Sequence, residues 1–206
     1  MTRALPMLLA ALCCATAVSA GERMVVTPLV PPPAPSARTL ELVTNGGAVA
    51  ADVVARMDAA YAFGASSVRT VLKRTAGGGW RVETVAAQAD GVSGRAPKAR
   101  HCAYDVPQAS GRRVVEALLA VMRKARAPAT ADEPPLGRRY AFFARDRAET
   151  LRARIDNPPE DSEPGMIAAV MEGFEEACPD PLYASGRNRD AVLDLLEKRL
   201  GEERGK

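Results

Sequence analysis

His101 is the only histidine in the chain, so any histidine-dependent mechanism has to be built on it. Cys102 follows it directly, with Asp105 four residues on and Ser110 nine. These are triad-type residues, but the nucleophile-elbow sequence that presents a reactive serine is missing around them. The sequence also lacks Gly-x-x-x-x-Gly-Lys-Ser/Thr, His-Glu-x-x-His, and a Gly-x-Gly-x-x-Gly following a strand. Phosphate-cradle, zinc-protease and dinucleotide chemistry therefore have no motif to stand on. Two-carboxylate hydrolysis needs only acids that meet in space, and acids are plentiful. The preferred reading assigns no catalytic residue, and keeps a hydrolase using His101 or paired carboxylates as an alternative.

What Cys102 can do depends on the compartment, and the amino terminus speaks to that. Arg3 precedes an apolar run from Leu5 to Val18, followed by Val18-Ser19-Ala20 with small residues where a signal peptidase reads. This is the layout of a secretory signal peptide over residues 1–20, with cleavage near Ala20/Gly21 and a periplasmic or secreted product. The run, at about 14 residues, is short of the roughly 20 a membrane span needs. Cleavage would remove Cys13 and Cys14 and leave Cys102 and Cys178 as an even pair in an oxidising compartment. A Cys102–Cys178 disulfide is the expectation. Metal binding is not expected, because His101 is the only available imidazole and neither cysteine sits in a Cys-x-x-Cys spacing. No cofactor is implied.

Charge is the other feature that could do chemistry. Between Arg95 and Arg126 there are eight basic residues against two acidic ones, a net of +6. Between Asp156 and Leu182 there are eight acids and no Lys or Arg, a net of −8. Two readings follow. Either the segments lie near one another and partly neutralise, or one faces a partner. In the second case the candidate surface is Arg112, Arg113, Arg123, Lys124 and Arg126, meeting an envelope protein or an anionic polysaccharide or lipid surface by attraction that salt would screen. The whole-chain balance of 28 Lys and Arg against 25 Asp and Glu is too even to predict nucleic-acid binding. A calcium site at Asp156–Glu163 is disfavoured by Pro158-Pro159, which splits the ligands, and by the absence of an Asp-x-Asp-x-Asp-Gly spacing.

The elements that must position these residues follow from periodicity. Residues 21–37, with Pro31-Pro32-Pro33-Ala34-Pro35, read as a proline-rich disordered tether, and residues 38–206 as a single domain. Leu40, Leu42 and Val43 suggest a short strand. Val49, Val53, Val54, Met57 and Tyr61 share one face of a predicted helix. Ser67 to Thr75 and Trp80 to Ala86 flank Gly77-Gly78-Gly79 as a hairpin, with Trp80 as a core anchor. Residues 87–100 read as a loop, and a central helix follows from about Ser110 to Lys124. Arg139 to Ala144 and Thr150 to Asp156 form a second hairpin, its first strand buried on both faces and its second with one wet face.

Ser162 is the expected N-cap of a helix carrying Ile167, Val170, Met171, Phe174 and Cys178. A last helix runs from Asn188 to Leu200 with Val192, Leu195, Leu196 and Leu200 on its apolar face. The predicted class is α+β: a mainly antiparallel sheet built from two hairpins, about four packed helices and one disulfide. The predicted function is an exported, non-catalytic binding or interaction module of the cell envelope. A structural envelope domain without a specific ligand is the third reading. No membrane span is expected in the mature chain.

Overall fold

The computed structural model describes residues 41–42, 48–61, 66–88, 98–126, 137–179, 181 and 186–204. The predicted signal peptide and proline-rich tether lie outside the described residues. The chain is α+β, with strands β1 (Glu41–Leu42), β2 (Val53–Tyr61), β3 (Ser66–Arg74), β4 (Trp80–Gln88), β5 (Lys98–Val106), β6 (Arg138–Arg145) and β7 (Thr150–Asp156). The helices are α1 (Gln108–Met122), α2 (Glu163–Glu176) and α3 (Arg189–Arg204). Six full strands and the two-residue β1 make one antiparallel sheet in the order β1-β7-β6-β2-β3-β4-β5.

Two segments differ from the periodicity reading, and each difference has a physical cause. Residues 53–61, expected as helix, form the central strand β2, bonded to β3 on one side and β6 on the other. Val53, Met57 and Tyr61 fit an i, i+4 face, but Ala55, Met57, Ala59 and Tyr61 also alternate with Arg56, Asp58 and Ala60. Only the second pattern buries Ala55 and Ala59 with the others. The loop expected over 87–100 gives way at Lys98 to β5, where Cys102, Tyr104 and Val106 alternate with His101, Ala103 and Asp105. The sheet is therefore a four-strand meander, β2 to β5, joined through β2–β6 to the β6–β7 hairpin, rather than two hairpins. Losing the helix at 49–61 leaves three helices in place of four.

All three helices lie on one side of the sheet. α1 packs against β2, β6 and β7, α2 against β3 and β4, and α3 mainly against α1 and α2. The core between them is continuous and includes Met57, Leu72, Trp80, Val82, Val114, Leu118, Met122, Phe142, Ile155, Ile167, Met171 and Phe174. Each such side chain contributes about 1.5–3 kcal/mol by leaving water. Trp80 is buried as expected, and α1 lies so close to its ring that a Cβ on Gly111 would stand 2.8 Å from it. On α3 the buried face is Leu193, Leu196 and Leu200, whereas Leu195, expected inside, is 52% exposed. The helix meets other helices rather than the sheet, and its inward stripe is narrower than the apolar run in its sequence. Among the described residues no helix is long and apolar enough to cross a membrane.

Cys102 and Cys178 are bonded to one another. Cys102 faces the helices from edge strand β5, and Cys178 stands just beyond the last turn of α2, where Ala177 is the C-cap. Two residues along β5, the Tyr104 hydroxyl donates to the Phe174 carbonyl at 2.8 Å. The outermost full strand is thus stitched at two points to the end of one helix.

Candidate functional site

With every helix on one side, the other face of the sheet has no described element over it. Strand alternation determines what stands there. Register lines up Arg152, Phe143, Arg56, Val71, Glu83 and Ala103 across β7, β6, β2, β3, β4 and β5. The adjacent row reads Arg154, Ala141, Asp58, Arg69, Val85 and His101. Rows on either side add Arg139 with Asp156, and Arg145 with Lys73, Arg81 and Asp105. Over β2 to β7 this face carries eight Lys and Arg against four Asp and Glu, a net of +4.

The acids are already engaged. Asp58 accepts from Arg56 and Arg69, each at 2.5 Å, and Glu83 takes Lys73 at 2.6 Å. Asp105 takes Arg81 at 3.2 Å, and Asp156 takes Arg139 at 2.7 Å. Phe143 is only 5% exposed although it points away from the helices. The Arg145 and Arg152 guanidinium carbons cover its ring at 5.1 and 5.6 Å from the centroid, a cation–π arrangement that holds both cations in place. Arg145 also donates to the Ala50 carbonyl at 2.7 Å.

The basic helix surface predicted from sequence is largely spoken for inside the molecule. Arg113 bonds Asp194 at 2.5 Å and Glu197 at 2.6 Å, both on α3, and these carboxylates hold its guanidinium well above its ordinary pKa. Arg123 bonds Glu149 at 2.5 Å in the β6–β7 turn. Lys124 bonds Glu163 at 2.8 Å and also Glu203. Arg112 and Arg126 are exposed. Of these pairs, only Lys124–Glu163 joins the basic segment to the acidic one. The other pairs of these helix cations run to α3 and to the hairpin turn. The acids of the 156–163 turn are likewise divided, among Arg139, Arg187 and Lys124. Among the described residues no three His, Cys, Asp or Glu side chains gather as a metal site.

A second feature is a pocket of about 210 Å³ between the start of β6, the loop after β7 and the first half of α2. Its construction is local. Asn157, at φ 46°, accepts from the Arg138 N–H through Oδ1 at 2.6 Å and donates its own N–H to the Arg138 carbonyl at 2.7 Å. Ser162 caps α2 as expected, accepting from the Gly165 N–H at 3.1 Å while donating to the Pro159 carbonyl at 2.6 Å. Gly165 is required there, because a Cβ would stand 2.1 Å from the Pro159 oxygen. With Gly165, Ala168 and Ala169 small, the helix surface is hollow, and Arg138, Tyr140 and Glu172 line the space left.

Behind the pocket lies a carboxylate held by two phenols. Tyr61 and Tyr140 both donate to Glu172 Oε1, the Tyr140 bond being 2.8 Å. Burial first, and then the Glu172 charge, push both tyrosines well above the ordinary phenol pKa, so they remain donors. The rings meet edge to face at 6.4 Å, and Arg138 lies over the Tyr61 ring at 5.6 Å.

His101 does not join this pocket. It is exposed on β5, in register with Val85 on the uncovered sheet face. The two carboxylates that line the pocket already accept hydrogen bonds, Glu160 from Arg187 and Glu172 from the tyrosines. Sequence reading did not reach Tyr61, Tyr140, Glu172 and Arg138 as a group, since they come from three elements far apart in the chain. The sheet-face arginines had a partial signal, the Arg152–Arg154 alternation. Their companions Arg56 and Arg69 acquired a common face only once β2 was a strand. No family model, curated protein or solved structure matches this chain.

Proposed function

We propose that the protein is an exported, non-catalytic binding module of the cell envelope, and that its uncovered sheet face engages an acidic envelope polysaccharide. The observation that carries this reading is the net charge of +4 on a face with no described helix over it. Guanidinium groups at regular strand spacing suit a polymer bearing repeated carboxylates, which arginine holds through paired, planar hydrogen bonds. Rigid strands and the Phe143 stack order the cations before binding, which lowers the entropy cost of association. Export is supported by the signal-peptide pattern at residues 1–20 and by the Cys102–Cys178 bond, a kind of cross-link that persists in oxidising compartments. The helix cations are weaker candidates, because acids of α3, the β6–β7 turn and α2 take up Arg113, Arg123 and Lys124, whereas on the sheet face cations outnumber acids by four.

The test is binding of the mature chain to a polyuronate such as alginate across a salt series. Arg152→Gln/Arg154→Gln is expected to weaken binding at least tenfold and to flatten its salt dependence, whereas Arg112→Gln/Arg126→Gln leaves both nearly unchanged. Equal loss in the two variants, or no binding to the polyuronate at low salt, would overturn the reading.

A further inference from the structure

The pocket beside Glu172 is separate from the sheet face, since its walls are the β6 start, the post-β7 loop and α2. Its charge arrangement is unusual. Arg138 and Glu172 both line it, coupled through space and through the Tyr140 hydroxyl between them rather than by a direct carboxylate–guanidinium contact. On the same rim Arg187 is paired with Glu160. Glu172 uses Oε1 for its two tyrosine donors, and among the described residues no bond to Oε2 is seen. A carboxylate with one oxygen open to a ligand and a guanidinium thus face one small space. Tyr140, bonded to Glu172 and adjacent to Arg138, fixes their separation.

We propose that this pocket binds a small zwitterion, a free amino acid or a close relative carrying one ammonium and one carboxylate. The ammonium donates to Glu172 Oε2, and the carboxylate accepts from the Arg138 guanidinium. A volume of about 210 Å³ is room enough for a small amino acid. The walls contribute Ala168, Ala169 and Pro158 as apolar surface, so a short aliphatic side chain has somewhere to rest. A simple cation would be repelled by Arg138, and a simple anion by Glu172. Only a ligand with both charges satisfies both groups at once.

Calorimetric titration of the full mature chain with the proteinogenic L-amino acids, taken singly, tests the proposal. Propionate and butylamine serve as probes carrying one charge each. At least one amino acid is expected to bind at least tenfold more tightly than either single-charge probe. Glu172→Gln retains an acceptor for both tyrosines while removing the charge, and Arg138→Gln removes the cation at an exposed position. Each is expected to weaken amino-acid binding at least tenfold with the thermal midpoint nearly unchanged. Arg81→Gln, on the sheet face, is expected to leave that binding unaltered. The proposal is overturned if no amino acid binds at millimolar concentration, if butylamine or propionate binds as well as the best amino acid, or if the two pocket variants bind as the parent does. None of these outcomes bears on polyuronate binding by the sheet face, so the two readings fail separately.

Discussion

Cutting the Cys102–Cys178 bond should expose how much of the stability depends on holding the edge of the sheet. The two cysteines are 76 residues apart in sequence, so the bond closes a long loop in the unfolded chain. Loop-closure entropy for such a length gives about 4.5 kcal/mol at 25 °C, and compact structure in the real unfolded chain reduces this to about 2–4 kcal/mol. For a chain of this size each kcal/mol moves the thermal midpoint by about 2–4 °C, so a fall of about 10 °C is expected. The assay is circular dichroism through thermal and urea melts of the oxidised chain, the same chain in a phosphine reductant, and Cys102→Ala/Cys178→Ala. Reduction keeps both sulfurs in place, so a difference between the last two isolates lost packing at the buried Cys178. The urea slope should also rise in both, because an unfolded chain without the cross-link exposes more surface. Hydrogen exchange should accelerate first in β5, which keeps β4 on one side and the Tyr104–Phe174 bond but has no strand beyond it. Midpoints within about 1 °C of the oxidised chain, with an unchanged urea slope, would refute the reasoning.

Two further outcomes follow from buried polar groups. Thr70 is 0% exposed and its hydroxyl has no hydrogen-bond partner among the described residues, so Thr70→Val, nearly identical in shape, should stabilise the fold by about 1–2 kcal/mol in urea melts; destabilisation would show that the hydroxyl is satisfied. The Tyr61 and Tyr140 phenols sit far above their ordinary value of 10.0 when folded, raised by burial and then by the Glu172 charge. Their contribution is therefore intact below about pH 10 and is lost as pH rises beyond it, because the unfolded chain then ionises while the folded one does not. Absorbance at 295 nm should show two phenols ionising only on alkaline unfolding, and Tyr61→Phe/Tyr140→Phe should remove that part of the pH dependence. Ordinary titration of both in the folded chain would contradict it.

Much of the fold was legible in local pattern. Ser162 as a cap, the α2 stripe from Ile167 to Phe174, the wet and dry faces of β7 and the burial of Trp80 all follow from spacing and residue type. The even cysteine pair also left a single pairing to form once Cys13 and Cys14 were set aside. The error at β2 is instructive. Alanines at 55, 59 and 60 favour a helix, and Val53, Met57 and Tyr61 satisfy both periods. Local preference pointed to a helix, and hydrogen-bond partners on both sides overrode it.

By itself, then, the sequence determined the α+β class and most element boundaries, because these depend on neighbours within a turn or a strand, while the pairing of Cys102 with Cys178 came from counting cysteines. Tertiary structure alone decided which cations are consumed and which remain. Arg113 and Arg123, adjacent in sequence to other basic residues, find acids 81 and 26 positions away. Tyr61 and Glu172, 111 positions apart, meet at one oxygen. Charge and hydrogen-bond complementarity act through distance in space, and distance along the chain carries no record of it.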